Sequence, residues 1–153
     1  MVKKTNKLKI NDKGFSLVEL IIVIGIMAIL IAVLAPQYLR YVEKSKQGKD
    51  YEVVGVVQHA ITVAMADTSI SDRPTLFGPA PLEQVETNGS MPNFVSAIKE
   101  YVGTNNLGTF IDDNIKSNAY RGSDMMLEID AENELVRITV SSNSPGIMDI
   151  VIE

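Results

Sequence analysis

The chain of 153 residues contains no cysteine, no tryptophan and only one histidine, His59. Without cysteine, a disulfide framework, a thiolate metal site and a catalytic cysteine are all excluded. A single histidine cannot build a histidine-rich metal centre, so we expect His59 to have a structural role. Basic residues number 14 against 19 acidic ones, and the resulting net charge of −5 gives no electrostatic footprint for nucleic acid.

Motifs for catalysis and for cofactors are missing as well. The sequence has no G-x-S-x-G nucleophile motif and no glycine-rich phosphate loop. Segments 112–114 and 130–134 are rich in side-chain oxygens, but neither has the central glycine and terminal glutamate of a calcium-binding loop. We interpret both segments as solvated turns, and we expect no cofactor, no metal and no enzymatic activity.

One long apolar run dominates the N-terminal part of the chain. From Leu20 to Ala35 no side chain is polar. Extended back to Phe15, the run forms a helix of roughly 31 Å, which matches the hydrocarbon thickness of a bilayer. A buried core helix is the alternative, but so small a domain cannot surround a helix that is apolar on every face. The sequence therefore predicts a membrane-spanning helix.

The charges on either side of this run predict its orientation. Residues 1–14 carry a net charge of +4 and residues 15–153 a net charge of −9. Because positive flanks stay in the cytoplasm, we expect a cytoplasmic N-terminus and an external C-terminal portion. A cleaved secretory signal is disfavoured, since the run exceeds the roughly 7–15 apolar residues of such signals and Pro36 would follow the best cleavage site at Ala35.

Segment 13–20, KGFSLVEL, closely resembles the processing site of type IV prepilins. Members of that family have a short basic leader that ends in glycine, then phenylalanine, a glutamate four residues later, and an apolar helix with a proline at its end. Here those features are Gly14, Phe15, Glu19 and Pro36. The resemblance covers residues 1–66 well, and it supports only the general architecture of the remainder.

The resemblance implies cleavage between Gly14 and Phe15 by a membrane aspartyl prepilin peptidase, followed by N-methylation of Phe15. Glycine also suits such a cleft because it adds no side chain, although Gly14 could simply break the helix. The implied partners are further copies of the chain in a helical filament, the peptidase, the pilus assembly platform with its ATPase machinery, and the membrane. The implied localisation is a single-pass membrane protein that later joins a pilus on the cell surface.

Glu19 is the strongest candidate for a functional side chain. A carboxylate near the bilayer centre costs about 2.5–3.5 kcal/mol and less toward the interface, so it needs a partner. The role implied by the family is pairing with the N-terminal amine of a neighbouring subunit during assembly. Two alternatives remain open: Glu19 can reach the amine of its own chain at Phe15, or lie at the positive end of the helix dipole.

Beyond the apolar run, the helical pattern continues. Pro36 lies inside it, so we expect a kink at Pro36 and not a helix end. Residues 37–52 are of mixed polarity and read as a solvated or subunit-facing exit segment, in which Glu43 with Lys46 and Lys49 with Glu52 can pair weakly. A cleaner apolar stripe follows at helical spacing and predicts a helix that extends to Ala66; it consists of Val53, Val54, Val57, Ala60, Ile61, Ala64 and Met65.

The last part of the chain predicts a small head. Residues 68–92 read as a loop with at most one helical turn at 82–85, residues 91–103 as a short helix, and residues 105–118 as irregular. Strands are predicted at 125–129, 135–140 and 147–152. The expected fold is an α+β pilin fold divided into a leader at 1–14, a membrane and filament-core helix at 15–36, an amphipathic helix at 37–67 and a head at 68–153.

These features favour a structural subunit of a type IV pilus, most simply the major pilin, that serves adhesion, twitching motility or both. A pseudopilin of a type II secretion or competence system is the alternative within the family. A single-pass anchored binding or enzymatic domain is the alternative outside it. The absence of cysteine departs from the many pilins that close their C-terminal region with a disulfide, and it resembles pilins of Gram-positive anaerobes. We therefore expect the head to be held by its core alone or by neighbours in the filament.

Overall fold

The computed structural model describes residues 14–153. Apart from Gly14, the predicted basic leader at 1–14 lies outside the described residues. The chain divides into two compact units, of which the first ends at Leu39 and the second comprises Arg40–Glu153. Helix α1, Leu17–Ala66, begins in the first unit and ends in the second.

Helix α1 ends at Ala66, as predicted, and continues through Pro36, but it begins at Leu17, two residues after the predicted start at Phe15. In the second unit its buried apolar residues are Val54, Val57, Ala60, Ile61 and Ala64, while Val53 and Met65 are partly buried. These positions recur at steps of three and four residues, so they lie on one face. The predicted apolar stripe is therefore confirmed, and it forms one side of the core of the head.

The other side of the core is an antiparallel sheet of four strands, β1 Leu76–Pro81, β2 Met125–Asp130, β3 Leu135–Val140 and β4 Ile150–Ile152, in the order β1-β2-β3-β4. Residues of β2 and β3 alternate between buried and half-buried, as expected for a sheet with one covered face. Leu127 of β2 is paired with Ile138 of β3, and both are fully buried. The head is thus an α+β unit in which the second half of α1 packs against the sheet, as predicted.

Three short helices complete the head: α2 Leu82–Thr87, α3 Pro92–Val102 and α4 Leu107–Asn114. Helix α3 ends at Gly103, which has a φ of 76° and so adopts the left-handed conformation that glycine tolerates best. At the other end of α3, the carboxylate of Asp72 accepts hydrogen bonds from the backbone N–H groups of Asn93 and Phe94. The predicted helix is confirmed, and its N-terminal partner comes from a distant part of the chain.

Several expectations for the head were wrong. The segment 68–92 is not only loop, because it contains β1 and all of α2. The segment 105–118 is not irregular, because it contains α4, whose N-cap Asn106 accepts a hydrogen bond from the backbone N–H of Thr109. The sheet has four strands and not three, and its last strand starts at Ile150 instead of Ile147.

The exit segment also differs from its prediction. Asp50 is fully buried, and its two carboxylate oxygens accept hydrogen bonds from the backbone N–H groups of Lys116 and Ser117 at 2.8 and 3.0 Å. Glu43 accepts a further hydrogen bond from the N–H of Asn118. We call the contact of Glu43 and Asp50 with residues 116–118 the carboxylate clasp. Part of the exit segment is therefore internal to the head, and Glu43 is engaged there instead of pairing with a lysine on its own helix.

The clasp continues into a second set of contacts that reach the end of the sheet. The hydroxyl of Tyr120 donates a hydrogen bond of 2.7 Å to the carbonyl of Met148, and its ring meets Tyr51 of α1 edge to face at 6.3 Å. The backbone N–H of Asn143 donates to the carbonyl of Ala119 at 2.7 Å. Besides its apolar core, the head is thus held by polar contacts that link α1, residues 116–121 and the β3–β4 connection.

Candidate functional site

The predicted site residues lie at the start of α1. Gly14 has no other atom within 4 Å of the position that a β-carbon would occupy, and Phe15 is 91% exposed. Both residues precede the first helical residue, Leu17. The peptide bond between Gly14 and Phe15 is therefore in an open, non-helical segment, which is the form that a protease cleft can bind.

Glu19 has a partner within its own chain. One of its carboxylate oxygens accepts a hydrogen bond of 2.8 Å from the backbone N–H of Ser16, and the Ser16 hydroxyl accepts one of 3.3 Å from the N–H of Val18. This reciprocal arrangement is of the capping-box type, in which Ser16 is the N-cap residue and Glu19 occupies the third helical position; the Ser16 hydroxyl accepts from the second helical residue, Val18, instead of the third. The carboxylate also lies where the positive end of the helix dipole favours a negative charge.

The capping box shows that Ser16 belongs to this site, although the prediction from sequence left it out. The pattern S-x-x-E directly before an apolar run is a known sequence signature of a helix N-terminus and was available at residues 16–19. The resulting geometry leaves Glu19 exposed, so its second oxygen is open to an external cation. The arrangement can therefore begin a helix and present a carboxylate at the same time.

The apolar surface that follows is extensive. All large hydrophobic side chains between Leu17 and Leu34 are at least half exposed within the described chain. The helix is long and apolar enough to cross a membrane, with a mean hydropathy of 3.1 over its most apolar window. Contiguous exposed apolar surface of this size marks a region that is covered by lipid or by other proteins.

Comparison with known proteins identifies this segment. Residues 9–35 match the family model described as the prokaryotic N-terminal methylation motif. The chain is 35% identical over 65 residues to the type IV major fimbrial protein FimA of Dichelobacter nodosus, and 28% identical over 111 residues to the prepilin peptidase-dependent protein A of Clostridium perfringens. The chain thus carries the N-terminal methylation motif and is similar to type IV fimbrial proteins.

These similarities cover different shares of the chain. The alignment with FimA covers 42% of this chain and 41% of the relative, and that with the fimbrial protein EcpC of Eikenella corrodens, at 36% identity, covers 41% of each. The alignment with the protein from Clostridium perfringens extends further, over 72% of this chain and 74% of the relative. No solved structure is significantly similar to this chain. Two of these three relatives are named as fimbrial proteins, and none of the three names describes an enzyme.

Among the described residues outside the start of α1, we find no comparable group of reactive side chains. Among residues 14–153, no group of three or more histidine, aspartate or glutamate side chains is placed to hold a metal ion. Asp130, which lay in one of the oxygen-rich segments, accepts hydrogen bonds from the backbone N–H groups of Glu132 and Asn133 and from the Asn133 amide. The hydrogen bonds from Asn133 lower the pKa of Asp130. This carboxylate therefore stabilises the turn between β2 and β3.

Proposed function

We propose that this chain is a type IV pilin, and specifically the major structural subunit of a type IV pilus. The single observation that carries the proposal is the exposed start of α1. There an open Gly14–Phe15 bond, a capped Glu19 and an unpartnered apolar helix occur within one family motif. The names of the relatives, a major fimbrial protein and a prepilin peptidase-dependent protein, support the same role.

In the proposed maturation, the chain first inserts into the membrane by its apolar run, with the leader on the cytoplasmic side. Prepilin peptidase cleaves after Gly14, the new amine of Phe15 is methylated, and the proposed mature chain begins at Phe15. The leader at 1–14, the span at 15–36, the amphipathic helix at 37–67 and the head at 68–153 are the proposed functional divisions. A kink at Pro36 is part of the same proposal, because proline removes one helical hydrogen bond.

Assembly then transfers the apolar helix from lipid to the interior of a filament. Glu19 keeps its capping contact with Ser16, and its free oxygen pairs with the Phe15 amine of a neighbouring copy. The platform and ATPase drive this transfer, and the finished fibre serves adhesion, twitching motility or both. Nucleic acid is not a proposed partner of the head, since residues 68–153 carry 5 basic against 13 acidic side chains.

The experiment that tests the proposal is mass spectrometry of filaments sheared from the cell surface, combined with electron microscopy of the same preparation. We expect an N-terminal peptide that begins with methylated Phe15 and long surface fibres. Surface material that retains residues 1–14 would contradict the proposal. Correct processing with short fibres confined to the envelope would instead support a pseudopilin.

A further inference from the structure

A basic segment lies at the start of the second unit, where the head is otherwise strongly acidic. Residues 40–49 carry Arg40, Lys44, Lys46 and Lys49 against one acidic residue, a net charge of +3, whereas residues 50–153 carry −11. Arg40, Lys44 and Lys49 are exposed and Lys46 is half-buried. Four of the nine basic residues outside the leader thus lie within ten residues of α1, and this short segment has a net positive charge.

The acidic residues nearest in sequence do not neutralise this segment by direct pairing. Glu43 and Asp50 are turned into the carboxylate clasp, where backbone N–H groups of residues 116–118 occupy them. Among the described residues, none of the four basic side chains forms an ion pair; those found involve Lys99 and Arg137. The cationic ends of the segment are therefore available to an external anion.

The place of this segment in the chain indicates which anion it meets. Arg40 follows Ala35, the last residue of the apolar run, by only five residues, so chain connectivity keeps it near the end of a membrane span. Tyr41, which is 74% exposed, is the type of side chain that is enriched at the membrane–water interface. We propose that Arg40 and Lys44 bind anionic phospholipid headgroups on the C-terminal side of the span while the subunit awaits assembly. This inference rests on the membrane insertion that the proposed function includes.

The two residues proposed to bind headgroups, Arg40 and Lys44, differ from Lys49 in their position along the helix. Arg40 and Lys44 are four residues apart and so lie on the same face of α1. Lys49 lies roughly 13 Å farther along the helix than Arg40. That separation exceeds the Debye length of about 8 Å at physiological ionic strength, so a headgroup that contacts Arg40 is screened from Lys49. Lys44 is only about 7.5 Å from Lys49 along the axis, but the two side chains lie more than a third of a turn apart around the helix, so Lys49 has the weaker influence on a headgroup held by Arg40 and Lys44. Lys49 is therefore a control that removes the same charge from the same helix.

Headgroup binding by Arg40 and Lys44 has a consequence for assembly. An anionic membrane surface repels residues 50–153, which carry a net charge of −11, and the basic segment counters this repulsion at the end that is next to the lipid. The bound headgroups must be released when the subunit leaves the membrane, so headgroup binding by Arg40 and Lys44 belongs to the membrane-inserted subunit before assembly. A second copy of this chain, with its acidic head, is the competing partner for the same cations.

The test uses the full chain, one copy per lipid nanodisc, with Arg40→Gln, Lys44→Gln and Lys49→Gln as single variants. Electron paramagnetic resonance of spin-labelled phosphatidylglycerol and phosphatidylcholine measures the preference of the protein-contacting lipid for the anionic headgroup. The leader lysines contribute equally to every variant. Resistance to alkaline extraction, measured first, reports insertion, and thermal unfolding reports the fold of the head.

We expect Arg40→Gln and Lys44→Gln each to lower the anionic preference several-fold, up to about fivefold per residue, and Lys49→Gln to lower it clearly less. About 1 M salt should abolish the difference between the variants. Equal preferences in all variants of an inserted protein would overturn this inference alone, and would favour a second copy as the partner. An equal loss of anionic preference in all three variants would also overturn this inference, because net charge and not the position of the residue would then determine the preference. Failure of the wild-type chain to insert would overturn the proposed function as well.

Discussion

Asp50 and Ser117 are 67 residues apart, yet the carboxylate of Asp50 accepts the backbone N–H of Ser117 at 3.0 Å, and both residues are fully buried. The same carboxylate accepts the N–H of Lys116, so one side chain of α1 satisfies two donors of a segment that has no regular structure. Hydrogen bonds to a charged acceptor are among the stronger ones in proteins. In a head without a disulfide, this contact attaches residues 116–121 to the long helix.

We predict that Asp50→Ala destabilises the head by about 3 kcal/mol, because two backbone N–H groups lose their acceptor. The melting temperature of the full chain in detergent, followed by circular dichroism, should fall by an amount on the order of 10 °C. Glu52→Ala is the matched control, since Glu52 is exposed on the same helix. Similar melting temperatures for the two variants would show that the clasp does not stabilise the head.

Gly78 supports a second prediction about stability. It has a φ of +83°, and a β-carbon at this position would lie 2.0 Å from the carbonyl oxygen of Leu127 in the neighbouring strand. Gly78→Ala should therefore separate β1 from β2 and cost more than about 2 kcal/mol, as measured by urea unfolding. Gly89→Ala provides the control, because a β-carbon there meets no atom within 4 Å. If both variants unfold at the same urea concentration, the close approach at Gly78 is not a constraint.

The elements that could be predicted from the sequence are those with local signals. The stripe of α1 repeats at helical spacing, α3 lies between Pro92 and Gly103, and β2 and β3 alternate around a polar turn. Strand β1 was missed because Gly78, Pro79 and Pro81 read as breakers, whereas an edge strand tolerates proline on its unpaired side. Its neighbour in the sheet is β2 alone, so β1 is such an edge.

The polar contacts of the head could not be predicted for a different reason. Asp50 lies among lysines and glutamates, and nothing in residues 40–52 indicates that residues 116–118 would reach it. Such a contact depends on the tertiary fold and carries no local signal. The capping box at Ser16 and Glu19 is the opposite case, because its pattern is local and was overlooked in favour of the assembly role of Glu19.

Tyr120 should make the stability of the head depend on alkaline pH. Burial raises the pKa of Tyr120 to about 12, with a further contribution from contact with Tyr51, whereas an unfolded tyrosine titrates near 10. Below pH 10 both states hold the proton and the stabilisation is fully present. Between about pH 10 and 12 only the unfolded state releases the proton, so the free energy of unfolding should fall by about 1.4 kcal/mol per pH unit.

The variant Tyr120→Phe isolates this effect. It should remove the part of the fall in unfolding free energy between pH 10 and 12 that is due to Tyr120. It should also lower the free energy of unfolding by about 1 kcal/mol at neutral pH, since the Met148 carbonyl loses its donor. Urea unfolding at several pH values measures both quantities. Tyr101→Phe, at a half-exposed tyrosine, should retain the wild-type slope. An unchanged slope in Tyr120→Phe would assign the alkaline loss to other groups.

For Gly14 we predict a failure of processing. Valine at this position places a branched side chain beside the bond to be cleaved, where glycine leaves open space. Cells that express Gly14→Val should accumulate precursor in the membrane, visible on a blot as a band heavier by the leader. Gly25→Val, also in open surroundings but within the apolar run, should be cleaved normally. Wild-type cleavage of Gly14→Val would remove this residue from the recognition site.

The last prediction concerns the two contacts of Glu19. Glu19→Ala should still insert into the membrane, because loss of a carboxylate lowers the cost of placing the helix in lipid. It should also be cleaved after Gly14, since the scissile bond lies outside the apolar run. In the filament, however, the amine of a neighbouring Phe15 would remain charged, buried and unpaired, at a cost of roughly 3–5 kcal/mol for every subunit. Blots of membrane and sheared fractions should therefore show normal membrane levels and almost no filaments.

Glu19→Gln separates ion pairing from helix capping. Glutamine can still accept the backbone N–H of Ser16, as it does in other capping boxes, but it carries no charge to pair with an amine. Ser16→Ala does the reverse, because it removes the hydroxyl that accepts the N–H of Val18 and keeps the carboxylate. If the ion pair drives assembly, Glu19→Gln should fail as Glu19→Ala does and Ser16→Ala should assemble. Normal filaments from Glu19→Gln would show instead that Glu19 acts by capping α1, and the pairing with a neighbouring amine would have to be abandoned.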